Sequence, residues 1–170
     1  MKPVRLFISE NYFIMKKTIY AGLLLLSCVL YQSATAQVHV NLRVNIGSQP
    51  AWGPVGYDYV DYYYLPDIDA FYYVPNRQYI YQEQGRWLFS TQLPVRYNSY
   101  DIYSGYKVVV NKPTPYKYAQ TYRTRYSGYK NRHEQAIIRN SHDSRYYQVK
   151  GHPQNSKWQQ NQNKKGRGHH

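Results

Sequence analysis

The chain has 170 residues, among them 23 tyrosines, 22 Lys and Arg against 9 Asp and Glu, six histidines and one cysteine. That length suits one modest domain, and a lone cysteine excludes an internal disulfide framework or a cysteine-based zinc site. A net charge of +13 speaks of solubility and anionic partners and leaves the fold open.

Met15-Lys16-Lys17, an apolar run from Ile19 to Leu30 and the triplet Ala34-Thr35-Ala36 follow the order of a secretory signal. Cleavage is expected after Ala36, with Ala34 and Ala36 as the small residues of the site. The apolar run is shorter than the ~20 residues of a membrane-spanning helix, so no transmembrane segment is expected in the mature chain. Residues 1–14 add nothing such a signal needs, and Met15 reads as the natural start. A lipobox reading of Leu25-Leu26-Ser27-Cys28 competes; Val29-Leu30-Tyr31 beyond it and the intact Ala-Thr-Ala triplet favour ordinary cleavage.

Beyond 36 the chain changes character at residue 110. Residues 37–110 carry 5 basic and 6 acidic side chains, and residues 111–170 carry 13 and 2. Eighteen Val, Ile and Leu fall in the first stretch, whereas only Ile137, Ile138 and Val149 fall in the second. The first stretch also holds 13 tyrosines, and a buried ring contributes ~1.5–3 kcal/mol if its hydroxyl finds a partner. A tyrosine core is expected to be thin, one sheet covered on one side with hydroxyls reaching the rim.

Val38, Val40, Leu42, Val44 and Ile46 alternate with polar residues, predicting a strand over 38–46. Strands are expected next at 57–64 and 69–74, each closed by a proline (Pro66, Pro75) that cannot donate to a ladder. Strands at 78–82 and 86–90 flank Glu83-Gln84-Gly85, a short loop whose glycine can take positive φ. A helical turn after Pro94, a strand at 106–110 and a helix from Thr114 as N-cap through Pro115 to Gly128 complete the pattern, although Tyr122 to Tyr126 also alternates like a strand. The helix would align Tyr118, Tyr122 and Tyr126.

The expected fold is thus mainly β with one or two short helices (α+β). It is a small antiparallel β-meander of about five or six strands with a basic, partly disordered C-terminal extension. Its parts are a signal segment (1–36), a tyrosine-rich meander (37–110), a basic extension (111–150) and a disordered Gln/Asn/Lys tail (151–170).

The phrases from Gln49 to Tyr59 (QPAWGPVGYDY), from Tyr62 to Ile68 (YYYLPDI) and Gly85-Arg86-Trp87, extended by Leu93-Pro94 and Gly105 to Val110, resemble small exported tyrosine-rich proteins of Bacteroidota. The likeness spans roughly 37–153. It implies a compact β-rich exported domain and brings no activity, ligand or catalytic residue with it.

No complete catalytic, metal or cofactor motif is present, and the expected function is non-enzymatic. His133-Glu134 lacks the second histidine one turn on that a zinc-protease helix needs. Ser141-His142-Asp143-Ser144 has the letters of a triad, but adjacent residues rarely converge, and a turn cap by Asp143 or Ser144 is the better reading. Asp58, Asp61, Asp67, Asp69 and Glu83 follow no calcium-loop spacing; as a hydrolase pair they would have to share one cleft. His152, His169 and His170 are at most a loose metal tract.

What rises above background is the basic rear. Arg123, Arg125, Lys130, Arg132, Arg139, Arg145 and Lys150 interleave with tyrosines, the pairing by which charge tracks a polyanion and rings stack on it. For an exported protein the expected partners are anionic envelope polymers or lipid head groups, with no specific nucleic acid. The alternative is a glycan-binding module with Tyr62, Tyr64, Tyr72 and Trp87 as an aromatic platform.

Overall fold

The computed structural model describes Lys17 and residues 43–167. Residues 43–167 lie in one compact unit. The expected export signal with Ala34 and Ala36, the lipidation alternative at Cys28, and residues 38–42 of the first expected strand lie outside the described residues.

Five antiparallel strands form one sheet: β1 (Tyr62–Leu65), β2 (Ala70–Tyr73), β3 (Gln78–Glu83), β4 (Arg86–Ser90) and β5 (Val108–Val110), in the order β4-β3-β2-β1-β5. Two helices among residues 43–167, α1 (Ala119–Arg125) and α2 (Asn155–Arg167), make the fold mainly β with some helix. Pro66 and Pro75 follow β1 and β2 directly or within two residues, as their missing N–H requires. Gln84 and Gly85 join β3 to β4 with φ of +49° and +76°. Two positive φ values match the twist of the flanking strands, which fixes the register Glu83↔Arg86.

Burial does not alternate along β1, where all four residues are buried. Side chains point alternately to opposite faces, so both faces of this sheet are covered. The expectation of a sheet covered on one side is corrected by that pattern. Tyr63, Leu65, Ala70, Tyr72 and Tyr81 face one side and pack with Trp52, Val60 and Val74. Trp52 meets Tyr63 and Tyr72 edge-on, with centroids 5.2 and 4.8 Å away. On the other face lie Tyr62, Tyr64, Phe71, Ile80 and Val110, covered by Ala119, Tyr122 and Tyr126 of the helical segment. A third cluster joins Ile46 and Ala51 to Ile138, Tyr146 and Val149. Packing therefore crosses the compositional break at 110/111: the few apolar residues of the basic stretch are spent in core positions.

The described end of the 38–46 strand is also corrected. Residues 43–45 are not in a strand and Ile46–Ser48 form a 3-10 turn. The cause is Asn45, whose side-chain amide takes the place of a strand. Its Oδ1 accepts from Val60 N–H (2.9 Å) and its Nδ2 donates to Val60 C=O (2.7 Å). Gln49 and Asn111 do the same for neighbouring backbone, at Tyr57 C=O and at Tyr59 C=O with Asp61 N–H. Several backbone groups of residues 57–61 are thereby taken up without a ladder, and the strand expected from 57 starts only at Tyr62. A fourth amide, Gln135, pairs with both backbone groups of Lys107 at 2.9 Å, so the strand expected from 106 starts at Val108.

Thr114 is not the expected N-cap. Its φ is +45° and its hydroxyl makes no capping bond, whereas a cap needs extended backbone. Pro115–Tyr118 form a 3-10 turn that leads into α1. Asp143 does cap, accepting from Arg145 N–H at 2.9 Å. Residues 155–167 are helical, with almost every described side chain exposed. Gln, Lys and Arg favour helix, and no packed face adds to that propensity.

Candidate functional site

The tyrosines expected to form an open platform are used for packing. Tyr62, Tyr64 and Tyr72 are 9%, 1% and 7% exposed, so no ring face is free for a sugar. Trp87 is half-buried, against Phe71 and Tyr116. The sequence could not reveal this, because a sheet covered on both sides buries the side chains of both faces of its central strands.

The seven expected polyanion residues separate into three groups. Arg123, Arg132 and Arg145 are engaged: Arg123 Nε with Asp69 (2.5 Å), Arg132 with Glu134 (3.5 Å), and Arg145 with both Asp58 (2.8 Å) and Asp143 (2.9 Å). Arg139 lies over the Tyr103 ring, 5.0 Å from its centroid. Arg125, Lys130 and Lys150 are exposed and have no acidic partner among the described residues. Lys112, Lys117, Lys157, Lys164 and Lys165 share that condition. Glu134 and Asp143, the acids of residues 111–170, are each taken up by an arginine, so the remaining positive charge is unopposed.

The meander carboxylates do not converge. Asp58, Asp69 and Glu83 pair with Arg145, Arg123 and Arg96 respectively, and Asp61 accepts from the Tyr59 hydroxyl at 2.5 Å. Among the described residues no three His, Cys, Asp or Glu are grouped to hold a metal ion. His152 is buried with both ring nitrogens occupied, Nε2 against Ser141 C=O (3.0 Å) and Nδ1 accepting from Gln154 N–H (3.0 Å). His169 and His170 lie outside the described residues.

A groove of about 550 Å³ opens between β5, the loop 111–115 and α1. The loop is short and carries Pro113, and Pro115 begins the 3-10 turn that leads into α1. Tyr122 and Tyr126, one helical turn apart, stack with centroids at 6.1 Å and planes 23° apart. Their inner edges rest on Tyr64 (5.6 and 6.2 Å), and their outer edges line the groove. Tyr118, 65% exposed, completes the aromatic wall. Burial raises the Tyr122 hydroxyl above the ordinary phenol value, so it stays a neutral donor. Lys112 and Arg125 line the same groove, and no carboxylate does. The i, i+4 spacing of Tyr118, Tyr122 and Tyr126 was the sequence signal for this wall. Lys112 was missed because only folding brings it to Arg125.

No helix of the described residues is long and apolar enough to cross a membrane. The chain matches no family model, no curated protein and no solved structure.

Proposed function

We propose that this is an exported, non-enzymatic protein of the cell envelope or its surroundings, akin to the tyrosine-rich Bacteroidota proteins its phrases resemble. It binds an anionic envelope polymer, or lipid head groups, in the groove between β5 and α1. The observation that carries this reading is the coincidence of three tyrosines with two unpaired cations, Lys112 and Arg125, in a groove without a carboxylate. Charge tracks the polymer backbone and the rings supply contact area. Exposed cations are screened by salt, so binding must weaken steeply as ionic strength rises.

The test is a salt titration of binding to anionic polysaccharide and to anionic vesicles, comparing the protein with a Lys112→Gln/Arg125→Gln double variant. The variant is expected to bind about tenfold more weakly, a loss of ~1.4 kcal/mol, and to show a shallower salt dependence. Unchanged affinity for both probes refutes the reading. Neutral-glycan binding is the second reading, favoured by the open Tyr118 face beside the Tyr122–Tyr126 stack. It is distinguished by surviving about 0.5 M salt, where exposed charge contacts are screened.

A further inference from the structure

A second pocket, of about 220 Å³, lies apart from the groove, between the turn 47–52 and the turn that joins β2 to β3. It is below the roughly 300–1,000 Å³ of sites for drug-sized ligands, so it takes one small group. Two cations line it, Arg77 and Lys150, with no Asp or Glu. Neither forms an ion pair among the described residues. Left-handed backbone lies at both positions, at Arg77 itself and at the glycine that follows Lys150. Arg77 has φ +55° and closes a turn through its N–H to Val74 C=O (3.2 Å). Lys150 is followed by Gly151 at φ +91°, where a Cβ would come within 3.3 Å of the Ala51 side chain. Only a glycine there lets the chain press onto Ala51 and hold Lys150 at the mouth.

The rest of the pocket is aromatic and rigid. Trp52 and Tyr72 are buried and meet edge-on, and Tyr103 lines the pocket with part of its ring exposed. A third cation reinforces the field: Arg139, anchored by its N–H to Ala51 C=O (2.8 Å), lies over Tyr103. Arg77 also acts on the Tyr72 hydroxyl, opposing the upward push of burial. The Gln49 amide is already bonded to Tyr57 C=O and the Tyr63 hydroxyl, so it offers the pocket nothing.

We infer that this pocket recognises one carboxylate-bearing sugar unit, its carboxylate between Arg77 and Lys150 and its C–H face against Tyr103. Two unpaired cations lining one pocket call for an anion, and a ring wall beside them favours a sugar acid over a bare oxyanion. The inference rests on the reading that the ligand is an anionic polymer, of which this pocket, on the other face of the sheet from the groove, would hold a separate acidic unit.

The experiment is backbone and indole NMR on the purified protein, titrated separately with glucuronate, glucose and inorganic phosphate. Glucuronate is expected to shift the Ser48, Arg77, Tyr103 and Lys150 amides and the Trp52 indole. Phosphate should act more weakly and glucose least. Lys150→Gln and Arg77→Gln should each weaken glucuronate binding by about fivefold, whereas Arg125→Gln in the groove leaves it unchanged. Equal responses to glucuronate and phosphate overturn the sugar assignment. Absence of shifts with glucuronate overturns the site even if a variant misfolds, because the unmodified protein carries that arm. Polysaccharide binding without glucuronate shifts defeats this inference alone; glucuronate shifts without polymer binding keep the pocket and defeat the groove.

Discussion

At the scale of single residues the molecule depends on buried phenols, of which Tyr63 and Tyr64 have hydroxyl partners and Tyr100 has none among the described residues. Tyr63 is fully buried and its hydroxyl donates to Gln49 Oε1 at 3.1 Å; Tyr64 donates to Asp69 at 3.1 Å. Tyr63→Phe strands a buried amide oxygen and is expected to lower stability by about 1–3 kcal/mol. Tyr64→Phe should cost less, because Asp69 keeps Arg123; denaturant midpoints of the two variants measure the difference. Titration follows from the same burial. Burial pushes Tyr79 up to about 12 and raises Tyr63, Tyr64 and Tyr100 as well. These groups keep protons in the fold that the unfolded chain releases above 10, so the stability they give is complete below that pH and is lost above it. Lys107 acts in the opposite sense. Burial brings its amine down to about 8 from 10.5, with Asp101 and Asp67 opposing. Between those values the unfolded chain holds a proton that the fold lacks, and stability rises with pH. Stability is therefore expected to climb from pH 8 toward 10 and fall beyond it, and Lys107→Met should remove the climb. Urea unfolding from pH 7 to 11 tests both limbs.

At the scale of elements, β3, β4 and the turn between them were legible because alternation and a glycine state their own geometry. Segments ended by side-chain amides were not. The apolar alternation through Val44 and Ile46 is as regular as any in the chain, and nothing in it announces that Asn45 will bond Val60 in place of a strand. The same is true of Gln135 at Lys107, 28 residues away in sequence. In the groove, the tyrosine spacing was readable and the approach of Lys112 was not. β5 is an edge strand of three residues, and open edges recruit other chains. Gln135 occupies one position beside it. Gln135→Ala is expected to leave Lys107 N–H and C=O without protein partners, to lower stability by about 1–2 kcal/mol and to promote self-association. Unfolding curves and sedimentation velocity read the two effects. A monomer of unchanged stability would show that the amide is dispensable.

For the whole molecule, the cationic rear is both surface and scaffold. Tyr122 and Tyr126 cover Tyr64 and Phe71, and Ile138, Tyr146 and Val149 close the cluster around Ile46 and Ala51. A fragment of residues 43–110 is therefore expected to lack fixed aromatic packing, with a flat near-ultraviolet circular dichroism spectrum and strong binding of a hydrophobic dye. A cooperative unfolding transition in that fragment would contradict this account. Charge in the rear is thus best probed by substitution in the full chain, where the core stays covered. Dependence on amide side chains also gives the protein a chemical clock. Hydrolysis of the Asn45 amide would leave a carboxylate, which accepts hydrogen bonds but cannot donate to Val60 C=O. The branched Ile46 that follows Asn45 slows this hydrolysis, so only long, warm storage at alkaline pH should accumulate chains deamidated there, and peptide mapping by mass spectrometry would read them.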